Sequence, residues 1–283
     1  MIRAAALVAA LASLGCGAQS ERCDDATFCP ADTTCGGAGA CLVEPGACDR
    51  FAERTPCLVD DELRGACTGE VCVPGVTVIG AVAALPDSPL PGVHVTALGH
   101  PEVPEQLTNI NGYYGLSGVP RDTVFTIALS FEGTVPVITH AFATTDTDLY
   151  VDESYGHVPI ITEATADLLL AQIGLVRRRG LAGLYGLAFN PETSSGVEGV
   201  TVAVEGTTCD GPFYVDANGT AHLGGATDPR SSAFAFINCA PGPATVTAML
   251  PGTTCRSRHT SSTAIELELV PDHLTFTGRV VCD

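Results

Sequence analysis

Cysteine and histidine carry the widest chemistry in this 283-residue sequence, and the cysteine spacing favours disulfides over metal ligation. Apart from Cys16, the cysteines form two even sets: Cys23, Cys29, Cys35, Cys41, Cys48, Cys57, Cys67 and Cys72, then Cys209, Cys239, Cys255 and Cys282. A structural zinc site would need thiolates at spacings such as Cys-x-x-Cys, which the sequence lacks. Two even, separate sets predict disulfides formed in an oxidising compartment.

The four late cysteines can pair in three ways. We favour Cys209 with Cys239, which would fix an insertion in the second half of the chain. We favour Cys255 with Cys282, which would tie the last strand, predicted over residues 275–281, into its sheet. The crossed pairings stay open. The eight early cysteines allow 105 connectivities, so no pairs are predicted there.

The remaining candidate ligands and nucleophiles do not form a recognisable catalytic pattern. Seven histidines are scattered without His-x-His or His-x-x-x-His spacing, and no nucleophile elbow, phosphate-binding loop or zinc-protease motif occurs. Two groups could offer oxygen ligands to Ca²⁺ without the spacing of a calcium loop: Asp146, Asp148, Asp152 and Glu153, and Asp216 with Asn218. We therefore predict no catalytic residue, no metal site and no cofactor.

Charge excludes two classes of partner. The chain has 32 acidic residues against 13 basic ones, all arginine, for a formal net charge of −19. Such a surface repels nucleic acid and anionic membranes. Arg177, Arg178 and Arg179 form one basic segment, which is either a solvated linker or a site for a phosphate or an acidic partner.

The N-terminus has the pattern of an export signal. Arg3 precedes an apolar run over residues 4–14 that is too short to cross a bilayer as a helix. The following Ser-Leu-Gly-Cys, residues 13–16, resembles the lipobox of bacterial lipoproteins, although Ser13 stands where that motif usually has Leu. The resemblance implies a signal peptide over 1–15, lipidation of Cys16 and a tether over 16–22. The alternative is an ordinary signal peptide with Cys16 in a disulfide.

Residues 23–74 are predicted to be a small cysteine-rich module. The segment has few large apolar residues and many Gly, Asp, Thr and Pro, so it cannot bury an adequate core. Disulfides would compensate by constraining the unfolded chain. Such a module serves as a spacer or as a protein-contact surface, and we favour the spacer.

An internal repeat follows the module. Each copy has a strand, a polar turn rich in Pro and Ser, and then Gly followed by a strand with period-two alternation: Gly92-Val93-His94-Val95 in the first and Gly199-Val200-Thr201-Val202 in the second. Downstream, Thr108 and Thr227 each open a further segment of two strands. In the first copy, Asn111-Gly112 predicts a type I′ hairpin turn.

Together these motifs resemble the carboxypeptidase regulatory-like domain, which belongs to the transthyretin or prealbumin type and is also grouped with starch-binding-like folds. The motifs are Pro-Leu-x-Gly-Val-x-Val (89–95) and Gly-Tyr-Tyr-x-Leu-x-Gly-Val-Pro (112–120). The resemblance implies mainly β structure: two tandem Greek-key β-sandwiches, over 76–151 and 181–283, behind the disulfide-rich module. The second copy departs from the family by an insertion over 207–225. The first copy contains no cysteine and is expected to fold alone.

One linking helix is predicted within the linker at 152–180. Thr162 suits the N-cap, Gly174 suits the residue after the C-cap, and Glu163 and Asp167 favour the first turns. Leu168, Leu169 and Ile173 would form its apolar stripe.

These features predict a non-catalytic lipoprotein of the cell envelope. It would be anchored at the outer membrane or cell surface, with the periplasmic side possible, and would touch the membrane only through its lipid. Its partner would be an envelope protein or a polysaccharide, met through sandwich loops. Tyr113, Tyr114, Phe213 and Tyr214 are the best stacking candidates, because tryptophan is absent. The alternative is a carbohydrate-active or other enzyme with an unrecognised site.

Overall fold

A computed structural model shows a mainly β protein, with one α-helix among the residues that it describes, as the sequence predicts. It describes residues 21–22, 28–35, 41–44, 46–51, 55–59, 64–68, 70–84, 88–101, 103–145, 149–151, 157–190, 192–193, 195–258 and 261–282. The chain divides into two compact units, residues 1–75 and 76–283.

The N-terminal unit contains short strands and a one-turn 3₁₀-helix, Cys48–Arg50. The strands are β1 (Glu21–Arg22), β2 (Phe28–Cys29), β3 (Thr33–Cys35), β4 (Cys41–Val43), β5 (Pro56–Leu58), β6 (Arg64–Thr68) and β7 (Val71–Pro74). Strands β3 to β7 form a sheet in sequence order.

Disulfides make up much of the interior of this unit, as the shortage of apolar residues predicts. The bonds described are Cys29–Cys41, Cys48–Cys67 and Cys57–Cys72. The sulfurs of Cys48, Cys57 and Cys67 lie within 4.8 Å of one another, a spacing that would also suit a metal. Here the spacing arises because two disulfides pack side by side next to buried Val43.

The larger unit begins with the first copy of the repeat. Its strands are β8 (Val76–Ala84), β9 (Ser88–Pro89), β10 (His94–Leu98), β11 (Gln106–Leu107), β12 (Tyr113–Val119), β13 (Val124–Ser130), β14 (Val137–Thr139), β15 (Phe142–Ala143), β16 (Leu149–Val151) and β17 (Val158–Ile160). Helix α1 (Glu163–Gln172) follows.

The second copy completes this unit. Its strands are β18 (Ala182–Asn190), β19 (Ser195–Gly196), β20 (Thr201–Glu205), β21 (Asp210–Val215), β22 (Ala221–Leu223), β23 (Ala233–Cys239), β24 (Gly242–Leu250), β25 (Thr253–Thr254), β26 (Arg256–Ser257), β27 (Ala264–Leu269) and β28 (Leu274–Val281).

One long sheet runs through both copies, in the order β11-β10-β13-β14-β28-β18-β23-β21-β22. The C-terminal strand β28 lies at its centre and pairs in parallel with β14 of the first copy and with β18 of the second. A sheet of β12, β8 and β16 contributes to the first core, and a sheet of β20, β24 and β27 contributes to the second.

The hydrogen bonds of two threonines confirm the internal repeat at atomic detail. Val93 N–H donates to Oγ1 of Thr108 at 2.9 Å, and that hydroxyl donates to the carbonyl of Leu90. In the second copy, Val200 N–H donates to Oγ1 of Thr227 at 3.0 Å, and that hydroxyl donates to the carbonyl of Val197. The backbone bonds around the two threonines also correspond.

A glycine opposite an aromatic residue is the second shared feature. Tyr114 lies opposite Gly80 in the first copy, and Phe234 lies opposite Gly186 in the second. A Cβ on either glycine would come within 2.5 Å of the facing ring. Each opening strand therefore needs glycine because an aromatic side chain crosses it.

The predicted Asn111-Gly112 hairpin is wrong. The flanking strands do not pair with each other: β11 pairs with β10, whereas β12 pairs with β8. The turn connects two sheets, and the Asn109 side chain organises it by accepting the N–H groups of Asn111 and Tyr113. Gly112 has φ +77°, and a Cβ there would lie 2.4 Å from the carbonyl oxygen of Val82.

Helix α1 confirms the predicted ends and changes one residue of the predicted apolar face. Thr162 caps the N-terminus by accepting the N–H of Thr165 at 3.1 Å, and Gly174 follows the helix with φ +73°. Leu169 and Ile173 of the predicted apolar stripe pack against the cluster beneath the helix, whereas Leu168 is 62% exposed and Leu170 is buried instead. Leu170 packs on residues of the long sheet, including Phe213 and Ile237.

The insertion in the second copy extends the long sheet. It supplies β21 and β22, which continue the sheet beyond β23. Both late disulfides that the sequence favoured are present, with Cα–Cα distances of 4.1 Å for Cys209–Cys239 and 4.2 Å for Cys255–Cys282. The first holds the insertion to β23, and the second holds the end of β28.

The core of the first copy takes residues from outside the predicted first sandwich. Val158 and Ile160 of β17 and Phe276 of β28 are all buried in it. The Phe276 ring lies 5.1 Å from the ring of Tyr185, which belongs to the second copy. None of the helices in the described part of the chain is long and apolar enough to span a membrane.

Candidate binding surfaces

Of the predicted site residues, Cys16 and Cys23 lie outside the described residues, and the backbone of Cys35 belongs to β3. The other ten cysteines predicted to form disulfides are bonded: Cys29, Cys41, Cys48, Cys57, Cys67, Cys72, Cys209, Cys239, Cys255 and Cys282. These cysteines thus serve as covalent links of the fold.

Three of the four aromatic residues selected from the sequence are buried. Tyr114 belongs to the first core, Tyr214 to the second, and Phe213 packs beneath helix α1. The Tyr214 hydroxyl accepts the N–H of Val202 at 3.0 Å, and burial raises the pKa of this phenol. These three side chains cannot stack on a ligand.

Tyr113 is the exposed member of the set, and the structure adds a second tyrosine that sequence reasoning missed. Tyr113 on β12 is 51% exposed and Tyr150 on β16 is 45% exposed. Both strands flank β8, with Tyr113 opposite Ala81 and Tyr150 opposite Ile79. From strand spacing and rise, their Cα atoms lie about 12 Å apart.

The two tyrosines share the outer face of this sheet. Side chains alternate along β8, so Ile79 and Ala81, which lie opposite the two tyrosines, share one face, whereas Val78 and Val82 lie on the other face and are buried in the core. The Tyr113 ring lies 6.1 Å from the ring of His157. We call Tyr113, Tyr150 and Ile79 the tyrosine face. Leu149, Tyr150 and Val151 are all apolar or aromatic, so no alternation of polar and apolar residues identified Tyr150 as the exposed one.

The candidate calcium ligands are either engaged in a turn or outside the described residues. Asp216 Oδ1 accepts the N–H groups of Asn218 and Thr220, and Oδ2 lies 3.1 Å from Nε2 of His222. The Thr220 N–H and the His222 side chain lower the pKa of this carboxyl. Asp146, Asp148, Asp152 and Glu153 lie outside the described residues.

The histidines have varied environments. His94 Nδ1 lies 2.6 Å from Oε1 of Glu105, and His273 Nδ1 lies 2.7 Å from the carbonyl oxygen of Pro271. His140 is buried, with its ring 4.3 Å from that of Phe142.

The three arginines line a cleft of about 600 Å³ in the larger unit. Its walls are residues 135–136, 177–179, 181–183, 237–238 and 272–274, together with Glu163 and Asp167 of helix α1. We call this the arginine cleft. The linker segment thus lies beside the start of β28, which the sequence did not predict.

Hydrogen bonds fix the backbone that carries the arginines. Arg178 N–H donates to Oδ1 of Asn238 at 2.9 Å, and Asn238 Nδ2 donates to Val176 O and to Oδ2 of Asp210. Gly180 N–H donates to Oδ1 of Asp272 at 2.8 Å. The segment is therefore attached to β23 on one side and to the turn before β28 on the other.

Comparison with known proteins gives structural neighbours and no family. No protein-family model matches the chain, and no curated protein matches it. The shaft pilin SpaA from Lactobacillus rhamnosus GG is 12% identical, with 73% of this chain and 96% of that chain covered and a TM-score of 0.24. A minor pilin of Streptococcus agalactiae is 10% identical, with 74% and 97% covered and a TM-score of 0.24.

A chain of a type II cohesin–X-dockerin complex from Acetivibrio cellulolyticus is 17% identical, with a TM-score of 0.25. The match covers 31% of this chain and 58% of that one.

Proposed function

We propose that this protein is a non-catalytic binding module of the bacterial cell envelope, lipid-anchored through Cys16 at the outer membrane or cell surface. The tyrosine face carries the binding part of this proposal. Tyr113 and Tyr150 are about half exposed on a strand-supported surface, where their rings can be buried by a partner at little cost in conformational entropy. The contact surface is then the outer face of the sheet that β12, β8 and β16 form.

A protein partner fits the tyrosine face better than a polysaccharide. Ile79 lies between the strands of the two tyrosines, and an aromatic and aliphatic cluster of this kind is typical of protein contacts. The net charge of −19 favours a partner with a basic surface around the contact. Association should therefore slow as salt concentration rises.

Disulfides support export. Ten cysteines in the described chain are bonded in five disulfides, which form and persist in oxidising compartments. The domains would be a signal peptide (1–15), a tether (16–22), a cysteine-rich spacer (23–74) and the sandwiches (76–151 and 181–283) with their helical linker (152–180). The spacer would hold the sandwiches away from the membrane.

Fractionation tests the anchor. Cys16→Ala should move the protein from the membrane fraction to the soluble fraction, because the acyl chains on Cys16 supply its membrane affinity. Fractions are compared by immunoblot after carbonate washing, with wild type as control. Equal membrane partition of the variant and the wild type would contradict lipid anchoring.

Site-specific crosslinking tests the face. A photo-crosslinking amino acid at position 113 should capture a discrete envelope protein, and the same amino acid at Met249, which is 58% exposed elsewhere, should not. Binding of the purified partner should weaken at least about tenfold in Tyr113→Ala/Tyr150→Ala and little in Met249→Ala.

Cosedimentation with purified envelope polysaccharide forms the second arm of the test. If the polysaccharide binds in a way that depends on Tyr113 and Tyr150, and no protein is crosslinked, the partner is a polysaccharide and not a protein. If both tyrosines can be removed without loss in either arm, the tyrosine face is not the contact surface.

A further inference from the structure

We propose that the arginine cleft binds a short peptide with free ends, holding its carboxylate at Arg178 and Arg179 and its ammonium group at Glu163. This site is separate from the tyrosine face and goes beyond the envelope-binding function proposed above.

The cationic side of the cleft has two guanidinium groups that make no hydrogen bond to an acidic side chain among the described residues. Arg177 is engaged, because its Nε lies 3.1 Å from Oδ1 of Asp167. The Arg178 guanidinium is 3.7 Å from Asp210 Oδ2, beyond hydrogen-bond distance, and that oxygen already accepts from Asn238. Within the described chain, the Arg179 side chain makes no hydrogen bond or ion pair. The N–H donors of two adjacent guanidinium groups can bind one carboxylate.

The anionic side of the cleft is Glu163. Its backbone N–H donates to the carbonyl of Gly133, but its carboxylate has no hydrogen-bond or ion-pair partner among the described residues. The Asp272 carboxylate instead fixes the loop backbone, because its Oδ1 accepts the N–H of Gly180. The arginine and carboxylate charges that line the cleft are equal in number, because three arginines face Glu163, Asp167 and Asp272. A balanced cleft in a chain of net charge −19 favours a zwitterion over a simple anion.

The size and the apolar lining of the cleft favour a peptide over a free inorganic ion. A volume of about 600 Å³ lies within the range of small-molecule sites. Val135, Leu181 and Leu274 add aliphatic surface to the charged lining, so small aliphatic side chains can be buried there. Capture of peptide ends by charged and backbone groups is a recurring mode of peptide recognition.

The loop is organised before binding. Gly180, Asn238 and Asp272 all have positive φ, at +75°, +52° and +61°. The side chains of Asn238 and Asp272 hold the arginine-bearing segment by the hydrogen bonds described above. Because the backbone of this segment is already fixed, it loses little conformational entropy when a ligand binds.

Calorimetric titration of the full exported chain with trialanine tests the proposal. Acetyl-trialanine lacks the ammonium group and trialanine amide lacks the carboxylate, so each should bind at least about tenfold more weakly than trialanine. Arg179→Ala and Glu163→Gln should each weaken trialanine by a similar factor. Arg179→Lys keeps the positive charge but lacks the planar pair of N–H donors, so its affinity for trialanine should lie between those of Arg179→Ala and the wild type.

Two exposed residues outside the cleft provide matched controls. Arg230→Ala and Glu198→Gln make the same changes elsewhere and should bind trialanine as wild type does. Circular dichroism and thermal melts confirm that each variant is folded. Tyr113→Ala/Tyr150→Ala should also retain trialanine binding, so failure of the tyrosine-face proposal and failure of this one are distinguishable.

Two results would overturn the proposal. The first is that trialanine does not bind the wild-type chain. The second is that acetyl-trialanine binds as tightly as trialanine while Glu163→Gln has no effect, which would make the cleft a simple anion site.

Discussion

Phe276→Ala tests whether the C-terminal strand joins the two copies of the repeat energetically. The Phe276 side chain is 2% exposed and lies in the core of the first copy, with its ring centroid 5.1 Å from that of Tyr185. Truncating a buried phenylalanine costs about 3–5 kcal/mol, from lost burial and from the cavity that remains. Compared with a typical stability of about 5–15 kcal/mol, this loss is large.

The region of the chain that loses stability in Phe276→Ala shows whether β28 couples the two copies. Phe276 is distant in sequence from the first copy, yet β28 pairs with β14 and its phenylalanine packs within that core. Denaturant unfolding, with all disulfides intact, should show the lower stability. Hydrogen exchange read by mass spectrometry should show lost protection in β10 and β13, although the substitution is in the last strand.

Phe234→Ala is the matched control, because Phe234 is equally buried but belongs to the second core alone. If residues 76–283 unfold as one cooperative unit, both variants lose protection in both copies. If coupling is local to β28, only Phe276→Ala affects β10 and β13. Unchanged exchange in β10 and β13 for Phe276→Ala would refute energetic coupling through this strand.

Two further predictions concern a disulfide and a carboxyl group. Replacing Cys255 and Cys282 together by serine reopens a loop with a sequence separation of 27 and should lower the free energy of unfolding by about 3 kcal/mol in a denaturant titration; no change in the midpoint would contradict it. The folded state lowers the pKa of Asp216, chiefly through Thr220 N–H, so its stabilisation is present above the unfolded pKa and is lost as pH falls through the folded pKa. Asp216→Asn should therefore remove the loss of amide protection in β21 and β22 on acidification, and wild-type-like acid sensitivity in this variant would exclude Asp216 as its source.

Sequence alone determined the local elements. Alternation predicted the strands around Val93 and Val200, and capping residues predicted the ends of helix α1, because both signals depend on near neighbours in the chain. The repeat could also be read directly, and the hydrogen bonds of Thr108 and Thr227 confirm it. The sequence favoured the observed pairing of the late cysteines and left the crossed pairings open, and the structure decided between them.

Tertiary structure decided which face of each element meets the core. Leu168 and Leu170 are equally apolar, and the sheet on which α1 packs determines that Leu170 is the buried one. Tyr113 and Tyr114 are adjacent and identical in type, so the sequence offered both as contact residues. The crossing of Tyr114 over Gly80 places it inside and leaves Tyr113 outside.

Long-range pairing also depended on the tertiary structure. The sequence predicts a first copy that folds alone, whereas its core contains Val158, Ile160 and Phe276. The parallel insertion of β28 between β14 and β18 leaves no local signal, because parallel partners are brought together by chain segments distant in sequence. The arginine cleft also depends on long-range packing. In the sequence, Arg177, Arg178 and Arg179 belong to a linker, and only the fold places them beside the start of β28 and the first turns of α1.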